Sequence, residues 1–246
     1  HGMPFPRCKS NNYDSGARIP LVIRWPSRIK AGTVIKDFVS LTDLAPTFYE
    51  TVGVKIPADV TGRSMLGLLA GKDNGDRSFV IHGKERHVPG QEKPDMGGSP
   101  TRAIRTHDFL YLHNFMPNRW PAGTPHYKKA SVGNAWLADC DNGPTKTYMV
   151  QNRDKDAHHR KLYDLAFGKR PADELYDLKK DPGQIVNVAA DPAYAKTIKS
   201  LKDQLFAELR KTSDPRVTDQ GPDFDKFPYL GGAPKHPGPR KKPKKK

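Results

Sequence analysis

TRAIRT at residues 101–106 and FLYLHNF at residues 109–115 decide the fold of this chain. Both runs are rich in β-branched and aromatic residues, and only His107 and Asp108 separate them. Two such runs joined by a two-residue polar turn are typical of a β-hairpin. The sequence therefore predicts two antiparallel strands here.

Two patterns downstream extend the hairpin into a small domain. ELYDL at residues 174–178 is one more candidate strand. A helix is predicted to begin at the Asp191–Pro192 pair and to end at the Asp214–Pro215 pair, because these are typical start and stop signals. We expect the helix to pack on the strands through one apolar face, which comprises Tyr194, Ile198, Leu201, Leu205 and Leu209.

Upstream of the hairpin the sequence predicts part of a larger core. IPLVIRW at residues 19–25 is a short apolar run with β-branched residues, which favours a buried strand. Apolar residues recur at helical spacing over residues 40–52, so we expect an amphipathic helix that Pro46 kinks or restarts. TGRSMLGLLAG at residues 61–71 predicts a second short helix.

Three stretches lack a regular pattern. Residues 84–100 are dense in Gly, Pro and charge and too polar to bury, which predicts a surface loop. Residues 117–170 are predicted to be irregular. Beyond residue 216 apolar residues are few, so burial cannot offset the entropy lost on ordering, and we expect a disordered basic tail at residues 216–246.

Charge is concentrated at the end of the chain. The net charge is +15, and seven of the cations lie in the last twelve residues: Lys235, Arg240, Lys241, Lys242, Lys244, Lys245 and Lys246. Such a tail either binds polyanions through counterion release or is simply solvated. No stretch approaches the roughly 18 apolar residues of a membrane span, and no apolar run resembles a secretory leader. The chain starts without Met, which indicates a fragment.

Common nucleotide, zinc and thiol motifs are not found. Neither GxGxxG nor a P-loop pattern occurs, and no histidine pair has the HExxH spacing. Cys8 lies between Arg7 and Lys9, and flanking cations favour a reactive thiolate. A nucleophilic cysteine also needs a base, however, and only His1 is nearby in sequence. Cys8 and Cys140 can form at most one disulfide.

A series of phrases, in order, resembles the sulfatase family of the alkaline-phosphatase-like superfamily. HGMPFPRCKSNNYDSGARIPLVIRWP at 1–26 is similar to the family's segment with its second metal-ligand pair, a basic residue and the turn into the next core strand. FVSLTDLAPTFYETVGVKIP at 38–57 and GRSMLGLLAG at 62–71 resemble the next two helices. RAIRTHDFLYLHNF at 102–115 and ELYDLKKDPGQIVNVAADP at 174–192 resemble its C-terminal subdomain.

Three shorter phrases point to one branch of this family. PFPR at 4–7, ERH at 85–87 and NFMPNRWPAG at 114–123 are most similar to the heparan N-sulfatase, or sulfamidase-like, branch. The resemblance as a whole covers residues 1 to about 215.

The resemblance implies roles for four residues. His1 matches the second residue of an Asp-Asn/His pair that ligates calcium, and the preceding Asp is absent because the chain begins here. Lys9 matches the basic residue that contacts the sulfate and its bridging oxygen, where a fixed cation stabilises the charge building on that oxygen. His87 and Arg102 are predicted to reach the substrate. Their alternatives are a surface-loop histidine and a solvated strand arginine.

The nucleophile of the family has no counterpart in this sequence. It is a formylglycine made from Cys or Ser in CxPxR or SxPxR, and neither Cys8 nor Cys140 fits. RWPSR at residues 24–28 has the end of the motif without the oxidisable residue. We therefore expect a C-terminal sulfatase portion that is inactive alone.

The predicted fold class is α/β. Residues 1–83 are expected to form the C-terminal part of an alkaline-phosphatase-like α/β core, and residues 84–215 a small antiparallel sheet with long loops and a packed C-terminal helix. The activity implied by the resemblance is hydrolysis of sulfate esters or sulfamates on a sulfated glycan such as heparan sulfate. One calcium ion and a periplasmic, extracellular or lysosomal location are implied with it.

Two alternatives stay open. Phosphatase or phosphodiesterase chemistry uses the same superfamily scaffold, and two zinc ions in place of one calcium would favour it. A polyanion-binding module without enzymatic activity would instead show salt-sensitive binding that depends on residues 235–246.

Overall fold

A four-stranded antiparallel sheet forms the centre of the protein. The computed structural model describes residues 3–72, 77–133, 135–218 and 221–231. The strands lie side by side in chain order: β1 (Phe79–Lys84), β2 (Thr101–Thr106), β3 (Phe109–Asn114) and β4 (Asp173–Asp177). The predicted hairpin, the later strand and the α/β class are confirmed.

One face of the sheet packs on the long C-terminal helix, α6 (Ala195–Lys211). Strand register aligns Ile104 with Tyr111 and Tyr111 with Leu175, so the three buried side chains form a row across the sheet. The helix contributes Leu201, Leu205 and Leu209, all buried at helical spacing. The predicted helix and its packing on the strands are confirmed.

The opposite face of the sheet packs on the N-terminal segment. Because successive side chains of a strand point to opposite faces, β3 turns Leu110 and Leu112 away from α6. They pack with Tyr176 and with Tyr13, which precedes the short helix α1 (Asp14–Ala17). This contact fixes the N-terminal loop to the sheet.

Residues 117–170 contain two helices that the sequence did not predict, α4 (Pro144–Asn152) and α5 (Ala157–Phe167). The Asp156 side chain caps α5 by accepting a hydrogen bond from the His159 backbone N–H at 2.9 Å. The residues that α5 buries lie in its last two turns: Tyr163, Ala166 and Phe167. An apolar pattern this short does not stand out in the sequence, so the prediction of an irregular stretch is wrong here.

The two predicted upstream helices are present and short. A 3₁₀ turn, Leu41–Asp43, leads into α2 (Leu44–Thr51), and Pro46 is the third residue of α2, where its missing N–H has no partner in the helix. Helix α3 covers only Leu66–Leu69. Within the described residues, no helix is long and apolar enough to cross a membrane.

The strand predicted at residues 19–25 does not form. This segment is extended without pairing, and Leu21 and Val22 are 40% and 91% exposed. A buried strand needs neighbours for its backbone N–H and C=O groups, and the sheet of this chain lies elsewhere. The residues have strand character, but this chain does not bury them.

The loop over residues 84–100 is not a simple surface loop. Val88 and Gln91 are buried, and the loop packs closely at Gly98, where a Cβ atom would lie 2.3 Å from the Glu85 carbonyl oxygen. The boundary predicted between residues 83 and 84 falls inside β1. The prediction from polarity was wrong because hydrogen bonds, rather than apolar contacts alone, hold this loop.

The segment after α6 is ordered in the part that the structure describes. A 3₁₀ turn covers Pro215–Val217 and a short helix, α7, covers Asp223–Lys226. Arg216 pairs with Glu85 at 2.6 Å, and Arg119 pairs with Asp225 at 2.9 Å. The predicted disorder is therefore wrong for residues 216–218 and 221–231, which ion pairs hold in place. The seven-cation tail lies outside the described residues.

Candidate active site

The N-terminal loop that carries Lys9 is anchored on the sheet. The Tyr13 hydroxyl donates a hydrogen bond to Glu174 of β4 at 2.8 Å. The Arg7 guanidinium lies 3.7 Å from the centre of the Tyr13 ring and donates to the Gln184 carbonyl. Within the loop, the Lys9 backbone N–H donates to the Met3 carbonyl at 3.1 Å. These contacts hold the loop on the sheet face opposite α6.

The Lys9 ammonium is paired with Asp141. Its Nζ lies 2.9 and 3.2 Å from the two carboxylate oxygens, and both side chains are partly exposed. Asp141 belongs to the turn at residues 136–142, which precedes α4. A cation held in this way has a defined position while it still reaches solvent.

His87 is held by the neighbouring carboxylate of Asp139. Its Nδ1 lies 2.6 Å from one Asp139 oxygen, and Lys84 donates to the other at 3.0 Å. The Asp139 side chain is 8% exposed, whereas the His87 side chain is 47% exposed. Because Nδ1 faces the carboxylate, Nε2 is the ring nitrogen that can meet a ligand.

The charges around His87 favour its imidazolium form. The hydrogen bond with Asp139 raises the pKa of His87 above its ordinary value, and the attraction of the same carboxylate adds to this effect. Burial and the positive charges of Lys9 and Lys84 oppose it. Lys9, Lys84 and His87 therefore share one basic region, which we call the basic site, supported by the carboxylates Asp139 and Asp141.

The structure does not leave Arg102 solvated. Its guanidinium pairs with Asp214 and with Glu85, each at 2.6 Å, and the residue is 8% exposed. It also donates to the backbone carbonyls of Lys84 and Thr101, both at 3.1 Å. These contacts fix the start of the loop that carries His87. A direct contact of Arg102 with substrate stays a prediction.

The predicted metal ligand His1 lies outside the described residues. Within the described ranges, no group of three His, Cys, Asp or Glu side chains converges as a metal site would. The described residues therefore do not by themselves supply a calcium site.

The sequence interpretation missed Asp139, Asp141 and Lys84. The two aspartates flank Cys140, and no local sequence pattern indicates that they meet cations more than fifty residues away. Cys140 itself is buried, and burial raises the pKa of its thiol to about 11. It is therefore not a reactive thiolate, in agreement with its failure to fit a nucleophile motif.

Comparison with known proteins points to one protein family. Residues 8–116 match the family model described as N-sulphoglucosamine sulphohydrolase, C-terminal. An ulvan-active sulfatase of Formosa agariphila is 31% identical over 80% of this chain and 33% of its own length. Human N-sulphoglucosamine sulphohydrolase is 29% identical over 88% of this chain and 41% of its own length.

A solved structure of a protein in complex with its substrate, D-glucosamine-2-N,6-O-disulfate, is 22% identical. Its TM-score is 0.46, and the match covers 79% of this chain and 29% of that protein.

The chain belongs to the sulfatase family. Within that family, the part it matches is the C-terminal region of N-sulphoglucosamine sulphohydrolase, which includes Lys9, His87 and Arg102. The chain spans about a third of the length of the ulvan-active sulfatases it matches.

Proposed function

We propose that this chain supplies the basic site of a sulfatase, an enzyme that hydrolyses sulfate esters or sulfamates. The observation that carries the proposal is the pair of held cations, Lys9 on Asp141 and His87 on Asp139, inside the segment that matches the family model. A sulfate group carries negative charge, and hydrolysis builds more charge on the oxygen or nitrogen that leaves. Preorganised cations stabilise that charge without waiting for water to reorient.

The two cations suit different steps of this chemistry. The Lys9 ammonium would contact the sulfate and its bridging atom. The His87 imidazolium would donate its Nε2 proton to the leaving oxygen or nitrogen as the bond to sulfur breaks, and Asp139 would stabilise the ring while it holds that proton. The raised pKa of His87 keeps the donor form populated nearer to neutral pH.

The rest of the catalytic machinery is proposed for a longer protein. Its formylglycine nucleophile would lie outside this sequence, and calcium would be bound there with His1 as the ligand from this chain. The isolated 246-residue chain should therefore release no sulfate. A periplasmic, extracellular or lysosomal location is part of the same proposal.

A sulfated glycan of the heparan sulfate type is the substrate that we propose. The matched family model and the human relative both carry the name N-sulphoglucosamine sulphohydrolase, which supports an N-sulfated glucosamine. Two relatives are named ulvan-active sulfatases, so ulvan is the alternative substrate.

The test uses the longer protein and compares sulfate release from N-sulfated and from 6-O-sulfated glucosamine. We expect His87→Gln to lower kcat on the order of 10²-fold or more and to remove the alkaline limb of the pH profile, because a general acid typically contributes 10²–10⁴-fold. Lys161→Gln, an exposed lysine on α5, is the matched control. Unchanged kcat and pH profile for His87→Gln would refute the role, and two bound zinc ions with phosphate ester turnover would favour the phosphatase alternative.

A further inference from the structure

A buried lysine lies beneath the turn that carries both aspartates of the basic site. Lys146 of α4 is 1% exposed. Its ammonium donates hydrogen bonds to the carbonyl oxygens of Trp136, Leu137 and Cys140 at 2.9, 3.0 and 2.7 Å. The side-chain oxygen of Asn142 lies 3.0 Å from the same nitrogen. All four oxygens belong to residues 136–142.

The Lys146 ammonium is a buried charge surrounded by uncharged oxygen atoms. Its four oxygen partners are neutral carbonyl or amide groups, so no carboxylate among these four offsets the cost of burying the charge. The Trp136 ring lies with its centre 4.7 Å from the ammonium, which adds a favourable contact with its π-face. A buried charge that is this costly persists only where the surrounding groups are fixed around it.

The backbone of the turn is strained at the position that the lysine holds. Leu137 has φ +42°, a left-handed conformation that is uncommon for a residue other than glycine, and it is fully buried. Strained backbone of this kind persists where surrounding contacts over-determine it. The Leu137 N–H donates to the Thr124 carbonyl at 3.1 Å, and the Asp139 N–H donates to the Ala122 carbonyl at 3.0 Å. These two bonds and those of Lys146 hold the backbone of the turn at several points.

We propose that Lys146 is a positioning residue of the basic site, acting through Asp139 on His87 and through Asp141 on Lys9. The lysine touches neither cation and would not touch substrate. It fixes the turn whose two carboxylates hold both of them. The importance of this for catalysis rests on the proposed function, whereas the coupling of Lys146 to His87 does not.

Two measurements on the 246-residue chain test the coupling. The first compares His87 titration curves, recorded by NMR on chain with ¹³C-labelled histidine, in which the His87 signal among the nine is assigned by its loss in His87→Gln. Lys146→Met keeps a straight side chain but removes the charge and the donors. We expect the pKa of His87 to fall towards its ordinary value, because the turn then no longer holds Asp139 at hydrogen-bonding distance.

Two further variants serve as positive and negative controls for this measurement. Asp139→Asn removes the carboxylate directly and should lower the pKa of His87 at least as far. Lys161→Met, on the exposed side of α5, should leave it unchanged. If Lys146→Met does not fold, Lys146→Gln is measured in its place, because its shorter, uncharged side chain cannot reach all four oxygens of the turn. A folded Lys146 variant with the wild-type pKa of His87 would overturn the proposal.

The second measurement follows the same His87 signal to higher pH in the wild-type chain and in Lys146→Met. Burial lowers the pKa of Lys146 to about 8, against the attraction of the Cys140 and Asp141 side chains that face it. The groups that face His87 are Asp139, Lys9 and Lys84. If Lys146 fixes the turn, its loss of a proton should produce a second inflection in the His87 signal near pH 8. A second inflection of the same size in Lys146→Met would show that another group causes it and would overturn the proposal.

In the longer protein, Lys146→Met should lower kcat by about 10²-fold, since a catalytic group misplaced by about 1 Å can cost that much. Failure of the two proposals can be told apart. If Lys9→Ala and His87→Gln leave kcat unchanged, the proposed function fails. If only the response of His87 to Lys146 is missing, the positioning role fails.

Discussion

Residues 18–60 and residues 101–114 are both rich in apolar side chains, yet only the second region forms packed strands. In the first, large apolar side chains are exposed: Leu21, Val22, Val34, Leu41, Phe48, Val52, Val54 and Ile56. In the second, they are buried: Ala103, Ile104, Leu110, Tyr111 and Leu112. The difference lies in the partners, because β2 and β3 each have a strand on both sides and a helix or loop on each face. Apolar side chains tend to be buried, but they are buried only where another part of the chain packs against them.

The largest effect that we expect from this difference is on stability. Leu205 is fully buried between α6 and the sheet, so Leu205→Ala should lower the free energy of unfolding by about 2–5 kcal/mol through lost burial and a cavity. Val22→Ala removes methyl groups that are already in solvent and should change it by less than about 0.5 kcal/mol. Urea unfolding of the 246-residue chain measures both.

A second exposed position serves as the control for that comparison. Val34→Ala, at a residue that is also largely exposed, should behave as Val22→Ala does. Comparable losses for Leu205→Ala and Val22→Ala would mean that the first region is packed in solution, and the distinction between the two regions would then fail.

The next largest effect is expected on kcat when Lys9 is replaced. Lys9 precedes the exposed region, residues 18–60, but its loop is anchored to the packed sheet. In the longer protein, Lys9→Ala should lower kcat on the order of 10²–10³-fold, the range seen when one donor to a developing oxyanion is removed. The KM should move less, because the contact strengthens mainly in the transition state. Steady-state sulfate release at saturating substrate measures the change.

Lys161→Ala is the control for charge removal away from the basic site. If Lys9→Ala has the wild-type kcat and the wild-type stability, Lys9 is a solvated loop lysine held by Asp141. The resemblance at this position would then be one of sequence only.

The contrast between the two regions also explains how much the sequence could predict. The hairpin and α6 were predictable because their periods and their stop signals are local, and their partners follow within the chain. The strand at residues 19–25 was predicted wrongly because the same residue pattern says nothing about whether a neighbouring strand exists. Helix α4 was not predicted because its buried residue is a lysine, Lys146, and not part of an apolar stripe.

The candidate site was predictable only in part. Lys9 and His87 follow from the resemblance, but their partners Asp139 and Asp141 come from a turn whose shape depends on a buried charge. No local pattern encodes a contact over such a separation. Arg102 was predicted either to contact the substrate or to be solvated. The structure shows it paired with two carboxylates, those of Glu85 and Asp214.

Two histidines, His82 and His87, are expected to make stability depend on pH in opposite directions. Burial, with a smaller contribution from Arg105, lowers the pKa of His82 in β1 to about 4. The unfolded chain binds a proton near pH 6.5, so the stability that neutral His82 provides is lost as pH falls from about 6.5 towards 4. His87 has a raised pKa, so its contribution is present at low pH and is lost as pH rises through that pKa.

Urea unfolding from pH 4 to pH 8 separates the two contributions. Relative to wild type, His82→Gln should gain stability as the pH falls below about 6.5, and His87→Gln should be most destabilised at low pH. The same pH trend for both variants would show that one of the two environments is wrongly assigned.

Removing the cations of the tail is expected to have the smallest effect on folding. Its main effect is expected on polyanion binding. Replacing the seven tail cations of residues 235–246 with Gln should leave the free energy of unfolding unchanged within about 0.5 kcal/mol, as expected for surface substitutions. It should also flatten the dependence of heparin affinity on salt, because counterion release scales with the number of cations that contact the polyanion.

The basic site provides the matched comparison for the tail. Replacing Lys9, Lys84 and His87 together with Gln removes at most three cations, so it should reduce the salt slope less than the tail variant does. Both variants are compared with wild type by heparin binding at a series of salt concentrations and one pH. If the tail variant keeps the wild-type slope and the triple variant loses it, polyanions bind at the folded site rather than at the tail. The reverse order would show that the tail binds polyanions independently of the site that we assign to sulfate.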